Sequence, residues 1–494
     1  MNTSIKKDVI LLISYLYIFI PLLLFFFMWL KPYIGITLGL LICIGIYYSF
    51  KNETPLNKID DIKDKKPLLI LGTGIIVLLV LTSGIGASIK QYPDHLIRNT
   101  IFKVLIDKDW PVKLMTSDGH VRSMNYYIGF WLPAAFVGKF TSYQFSLLFQ
   151  QIWAIIGLLL TWYYMMERKK KAHLWYFIVF IFFGGLDFLG TLLTGNIYQD
   201  IGNRYEWWSG HWNYPSMMTS LFWAYNQAIY AWLIYSMITR QKNNKNVVFV
   251  WSAALLSCSF PAIGMLPFAV YKSIDNVKDD SKGFNRFINA IKQGLTLTNV
   301  LGLILSIILF LYINSNVAVY TGFNQPEVFI TSYVISNNFR YYEWTTKLLN
   351  YLWFILLEFV IYYVVLYKDK HQTLLYWISL IVLLLCPLIK IGNWIDFTMR
   401  ACIPALFCLC EMVIDALQSY FENKHYGLFI ALVGLLAIAS INCFDTLLGV
   451  LPSMSENAYN EQYPEIQMIS EKNIADLDNF FGREESIFFR FILK

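Results

Sequence analysis

Two acidic residues sit where an apolar chain has little reason to carry them. Asp187 lies in FFGGLDFLGTLL and Glu358 in the middle of YLWFILLEFVIYY. A carboxyl group at membrane depth is costly and normally faces a cavity or a partner. Glu358 suits either a proton relay in a transporter or a protonated, hydrogen-bonded structural group. Asp187, towards one end of its apolar run, suits the rim of a wet cavity. A third group lies in TGNIYQDIGNRYEWWSGHWNYPS, which holds Asp200, Glu206, Trp208, His211 and Trp212. Its rings can stack on sugar faces and its carboxylates can hold hydroxyls, although Trp and Tyr also gather at any membrane interface. In NWIDFTMRACIPALF, Asp396 precedes Arg400 by four residues, the spacing of a helical ion pair. Phosphate-cradling GxxxxGK[ST] loops and the HExxH and CxxC metal motifs are missing from the sequence, so neither an ATP-driven pump nor a metal or other cofactor is expected. All seven cysteines fall in apolar segments, as small packing residues do.

The elements that must position these residues are membrane helices. Hydrophobic residues make up 57% of 494 positions and charged residues 15%, against about 25% charged in an ordinary soluble domain. The apolar residues come in blocks such as Val9–Leu30, Leu68–Gly86, Leu174–Leu193 and Leu295–Ile313. Each block approaches the ~20 residues that cross hydrocarbon as a helix. None shows the polar face of a soluble helix or the alternation of a barrel strand. The fold class is all-α, a polytopic helical membrane protein. The net charge of +6 comes from short basic loops that set orientation, and no nucleic-acid partner is implied.

Lys6 and Lys7 place the N-terminus in the cytoplasm, and ERKKKAH, TRQKNNKN and KDKHQT mark later cytoplasmic loops. Residues 1–66 then form two membrane helices and a cytoplasmic loop. Residues 67–450 form the membrane core, with extracytoplasmic loops at 87–142, 195–216 and 316–346. Residues 451–494 form an extracytoplasmic tail. Read as one span, VVFVWSAALLSCSFPAIGMLPFAVY would put the basic loop 272–293 outside. A hairpin broken around Ser259–Gly264 keeps that loop inside, and Pro261, Gly264 and Pro267, which interrupt helices, favour the hairpin. About 11 full spans and this one hairpin are expected.

The first outer loop contains YPDHLIRNTIFKVLID, in which proline opens a short helix and apolar and polar residues alternate. It predicts an amphipathic helix on the membrane surface at about 95–106, and a second from about Tyr126 to Phe140. Asp94 stands at the start of the first, just beyond a span, where an N-cap residue would also stand. This layout resembles the GT-C class of membrane glycosyltransferases, in which the loop after an early span carries juxtamembrane helices and an acidic catalytic base. The matching elements are helix 67–86, Asp94, the two surface helices and helix 143–166. Many members have two adjacent acidic residues where this chain has Asp94-His95, and two extra helices precede the core here.

The resemblance implies a sugar carried on a polyprenyl phosphate and moved to an extracytoplasmic glycan, lipid or protein acceptor. Asp94 would take the proton of the attacking hydroxyl, with His95 beside it at the substrate. Arg400, Arg98 and Lys390 would hold the departing lipid phosphate, with Asp396 beside Arg400. Arg98 and Lys390 also suit a simpler role as cations reaching for the interface. A polysaccharide polymerase or ligase, or a flippase for lipid-linked sugars, would share the outward-facing polar loops. The expected location is the plasma membrane of the cell, with polyprenyl-linked sugar, acceptor and bilayer as partners.

Overall fold

The computed structural model describes residues 8–87, 89, 93–116, 119–197, 204–277, 283–320, 327–328, 344–391, 395–450, 471, 474 and 477–494. Lys6, Lys7, Asp200, most of loop 316–346 and the first part of the tail lie outside them. Among the described residues the regular structure is helical apart from two two-stranded ribbons. In chain order the helices are α1 (Val9–Trp29), α2 (Pro32–Asn52), α3 (Lys66–Thr82), α4 (Pro93–Asp107), α5 (Leu132–Gly138), α6 (Tyr143–Lys169), α7 (Leu174–Ile181) and α8 (Asp187–Thr194). They continue with α9 (Met217–Trp223), α10 (Tyr225–Thr239), α11 (Val247–Ser252), α12 (Ala254–Ser257), α13 (Ser259–Asp275), α14 (Gly283–Gly294), α15 (Leu297–Ile313) and α16 (Val317–Tyr320). The last are α17 (Trp344–Ile355), α18 (Ile361–Lys370), α19 (Leu374–Leu385), α20 (Asp396–Ala401), α21 (Ile403–Glu422) and α22 (Tyr426–Leu448). Strands β1 (Lys113–Met115) and β2 (Val121–Ser123) pair antiparallel, as do β3 (Glu327–Val328) and β4 (Ile389–Lys390).

Among the described residues six helices are long and apolar enough to cross a bilayer, and the bent pair α14–α15 raises the number to seven if it is counted as one span. The chain is thus a helical membrane protein. Its exterior is greasy in the way lipid requires: Ile36, Leu40, Ile70, Leu78, Ile307 and Phe310 are exposed. Its interior is aromatic, with Tyr17 stacked on Trp153 at 4.4 Å and on Tyr230 at 5.1 Å between ring centres. Those contacts build α1 into the same bundle as α6 and α10.

Several expected spans are interrupted, each for a visible reason. The run 174–194 breaks into α7 and α8 at the Gly184-Gly185 pair. A side chain on Gly185 would put its Cβ 1.9 Å from a Glu358 carboxylate oxygen, so only glycine lets the chain pass there. A single π turn, Leu356–Val360, joins α17 to α18 and carries Glu358. The hairpin breaks at Cys258, one residue ahead of the expected Ser259–Gly264. Pro261 falls in the first turn of α13, where a missing N–H costs nothing. The Trp251 indole donates to the Ala262 carbonyl at 2.9 Å. Residues that far apart on one continuous helix would be about 16 Å apart, so the chain folds back on itself here. The surface helix expected from Tyr126 to Phe140 is only α5 (Leu132–Gly138). The backbone at Asn125 and Tyr126 is engaged instead by Phe480 and by the Tyr312 hydroxyl.

Loops meet at two opposite ends of the bundle. At one end Asp60 N–H donates to Lys170 O, Arg240 pairs with Glu53 at 2.9 Å, and the Asn276 carboxamide donates to Asn243 O at 3.1 Å. At the other, Lys31 N–H donates to Ile492 O at 3.0 Å, and residues 480–483 lie between segments 123–125 and 315–317. There Asn125 N–H donates to Phe480 O and Gly482 N–H to Ser123 O, while Val317 N–H donates to Phe481 O and Arg483 N–H to Ser315 O. Residues Phe481 and Gly482 of the tail thus form a short extended stretch bridged on both edges, antiparallel from Met124 to Phe481 and from Asn316 to Gly482.

Candidate functional site

A cavity of about 550 Å³ opens at the end of the bundle where the tail is bound, a size suited to a small-molecule site. It gathers side chains from six distant stretches of sequence. Asp94 and Arg98 come from α4, Tyr126 and Tyr127 from the segment before α5, Asp396 and Arg400 from α20, and Leu477, Asn479 and Phe480 from the tail. Ile97, Phe260, Ile263, Phe310 and Ile313 make its apolar wall.

Helical spacing builds the charged half of the site twice. Asp94 and Arg98 are four residues apart on α4 and form an ion pair of 3.3 Å. Asp396 and Arg400 are four apart on α20 and approach to 2.5 Å. Each guanidinium is thereby oriented by a carboxylate one turn earlier. The arginine side chains are 8% and 12% exposed, whereas Asp94 is 57% exposed. Arg98 is therefore a sunken cation beneath a solvated acid, and not a side chain reaching for the interface. It lies over the Tyr225 ring at 5.7 Å. Its Nη1 is buried and has no hydrogen-bond partner among the described residues. Asp94 is the second residue of α4, inside the helix rather than at its cap.

Beside Arg400 the Tyr126 hydroxyl donates to that of Tyr127. Burial pushes both phenols above their ordinary range, while the nearby Arg400 pulls them back part of the way. Both therefore keep their protons and act as hydrogen-bond donors or acceptors. The Phe480 ring meets the Tyr126 ring edge-on at 4.6 Å between centres, so the tail also sets the position of this pair.

The other candidates lie elsewhere. His95 points away from the cavity, fully buried, with Nε2 2.7 Å from the Phe222 carbonyl. Burial, reinforced by Arg98, pushes its imidazole down to about 3. Lys390 is in the β3–β4 ribbon, opposite Glu327. The Trp208 indole is buried and donates to Glu358 Oε1 at 2.9 Å, and that of Trp212 donates to the Pro387 carbonyl at 3.0 Å. His211 stacks edge-on against Trp212 at 5.8 Å. These rings are packing and hydrogen-bonding elements within the bundle.

Glu206 and Asp187 join Glu358 in a second polar cluster. Glu206 Oε1 accepts from Ser216 N–H at 3.0 Å and from Asn442 Nδ2 at 2.7 Å. Asp187 lies close enough to interact electrostatically with both other acids. All three are at most 2% exposed. The Leu186 N–H donates to Leu357 O at 3.0 Å across the helix break, which ties this cluster to the π turn. The hydrogen-bond donor to Glu358 is Trp208, 150 residues away in sequence, with Asp187 near it.

Sequence reasoning missed Tyr126, Tyr127 and the tail residues. A paired tyrosine reads as interface aromatic, and an extended segment held by backbone hydrogen bonds leaves no side-chain pattern. Compared with family models, curated proteins and solved structures, the chain finds no match in any of the three.

Proposed function

We propose that the protein is a membrane glycosyltransferase of GT-C type, moving a sugar from a polyprenyl-phosphate carrier to an extracytoplasmic acceptor. The observation that carries this reading is the single cavity that unites a solvated carboxylate, two sunken arginines and an apolar wall. Donor and acceptor together supply three matching parts: the acceptor's attacking hydroxyl, the donor's phosphate and the donor's hydrocarbon chain. Arg98 and Arg400 hold the phosphate and stabilise the charge it gains as the glycosidic bond breaks. Asp94 accepts the proton from the acceptor hydroxyl as that oxygen attacks the anomeric carbon. The Tyr126–Tyr127 hydroxyls orient the phosphate or the sugar.

The topology we propose has about 11 spans and one folded-back hairpin, with the N-terminus cytoplasmic and the tail outside. Pairing of the tail with the 123–125 segment supports a common side for the tail and the first large loop. The contacts among 51–66, 167–173, 240–246 and 272–276 likewise support a shared cytoplasmic end, which favours the hairpin over a full crossing.

The test is ligand discrimination by the purified protein in lipid nanodiscs. A polyprenyl monophosphate should raise its melting temperature, and the corresponding polyprenol should not. Equal effects from both lipids would remove the phosphate site from the proposal.

A further inference from the structure

Helix α14 is the least explained element of the bundle. Its sequence, GFNRFINAIKQG, is half polar, and its 12 residues span only about 18 Å. That is well short of the ~30 Å hydrocarbon layer. It meets α15 at 90°. Since α15 is a 17-residue apolar helix whose exposed face carries Leu297, Val300, Leu303, Ile304 and Ile307, a helix perpendicular to it runs parallel to the membrane surface.

The two faces of α14 have opposite fates. At about 100° per residue, positions 284, 287, 288, 291 and 295 fall within an arc of roughly 100°. Four of them are conspicuously bare: Phe284 is 74% exposed, Phe287 41%, Ile291 52% and Leu295 67%. The opposite face is docked on the protein. The Arg286 guanidinium donates to Ile274 O at 3.1 Å and to Asp275 O at 3.2 Å, capping the C-terminal carbonyls of α13. Ala290, next on that face, is buried. The anchored side therefore fixes the rotation of the helix, and that rotation turns the phenylalanines outward.

We propose that α14 is an interfacial helix, whose Phe284, Phe287 and Ile291 insert into the boundary between lipid headgroups and acyl chains. Three observations favour the bilayer over another protein as the occupant. The bare stripe is continuous through Leu295 with the lipid-facing side of α15. The right angle between the two helices matches the angle between a membrane and its normal. Lys292, exposed at the edge of the stripe, can extend its ammonium to lipid phosphate while its stem lies along the apolar surface. The pattern of aromatic and aliphatic groups on one face, with amides and cations on the other, is that of a helix lying in the interface. This assignment does not depend on the reaction proposed above.

Single cysteines placed along α14 test it in the full chain in lipid nanodiscs. Phe284→Cys, Asn285→Cys, Phe287→Cys, Asn289→Cys, Ile291→Cys and Lys292→Cys are each spin-labelled after Cys43, the exposed cysteine among those described, is replaced by serine. Relaxation by oxygen, which partitions into lipid, is compared with relaxation by a water-soluble nickel complex. The expected result is oxygen-dominated relaxation at 284, 287 and 291 and nickel-dominated relaxation at 285 and 292, repeating with the helical period. Nickel access at all positions would overturn the assignment in favour of a water-facing helix. Exclusion of both reagents at 284, 287 and 291 would overturn it in favour of a protein partner or a second copy. A variant that does not run as a monodisperse peak is replaced by Leu295→Cys, for which oxygen-dominated relaxation is expected and nickel access would count against insertion.

Discussion

Replacing Arg400 by methionine isolates what a sunken cation contributes to the proposed site. Methionine keeps the length and most of the apolar contact of the side chain, and removes the charge and the donors. A hydrogen bond to a charged group is worth about 1.5–3 kcal/mol. The affinity for a polyprenyl phosphate should therefore fall roughly 10- to 150-fold. The lower part of that range applies if Arg98, 8% exposed in the same cavity, carries more of the phosphate. The cost in folding should be small by comparison, since Asp396 is 32% exposed and water can solvate it once its partner is gone. Titration of purified protein with a short-chain polyprenyl phosphate, read by native mass spectrometry, gives the affinity, and the melting temperature gives the stability. Arg400→Lys should recover part of the affinity, because a point charge replaces some of the function of a bidentate fork. Wild-type affinity in Arg400→Met, with Arg98→Met also unchanged, would refute the assignment of this cavity to an anionic lipid.

Three further outcomes follow from the same geometry. Phe480→Ala removes a buried ring packed on Tyr126 at 4.6 Å. It should lower stability by about 3–5 kcal/mol and weaken phosphate-lipid binding with it, and an unchanged melting temperature would contradict the role given to the tail. Arg240→Met strands Glu53, whose side chain is 4% exposed, at the other end of the bundle. Breaking such a pair costs about 3–5 kcal/mol, and a second change, Glu53→Gln, should restore part of the lost melting temperature; no loss in the single variant would contradict the pairing. His95 is held neutral by burial, its folded value of about 3 lying below the usual 6.5. The stabilisation it contributes is therefore complete above pH 6.5 and is lost as pH falls towards 3. The melting temperature of wild type should decline over that window more steeply than that of His95→Gln, and parallel curves would count against it.

The membrane class was legible because apolar runs of bilayer length are a coarse signal that tertiary contacts rarely override. Helix α1 falls within one residue of its expected bounds. The Asp396–Arg400 pair was legible too, because it follows the four-residue spacing of a helix; Asp94 and Arg98 have the same spacing, but their pairing emerges only in the structure. Their union in one cavity was not, since nothing local to either segment brings α4 beside α20. The interruptions were harder. Cys258 ends a helix while Pro261 is accommodated in the next, and the break at Gly184-Gly185 exists because a π turn and Glu358 press against it. The tail strand is set by backbone groups that every residue carries. Helix α14 was hidden in a basic loop, because its period becomes visible only once its bend from α15 is known.

The central claim is that Asp94 serves transfer of a sugar to a surface acceptor. The most direct measurement compares surface polymers from cells carrying the wild-type gene, a deletion and Asp94→Asn, with sugar composition and chain length read by mass spectrometry. The account predicts that deletion and Asp94→Asn both remove the same sugar substituent, while purified Asp94→Asn still binds polyprenyl phosphate. A full complement of that substituent in Asp94→Asn cells, or a collapse of chain length with composition unchanged, would contradict it.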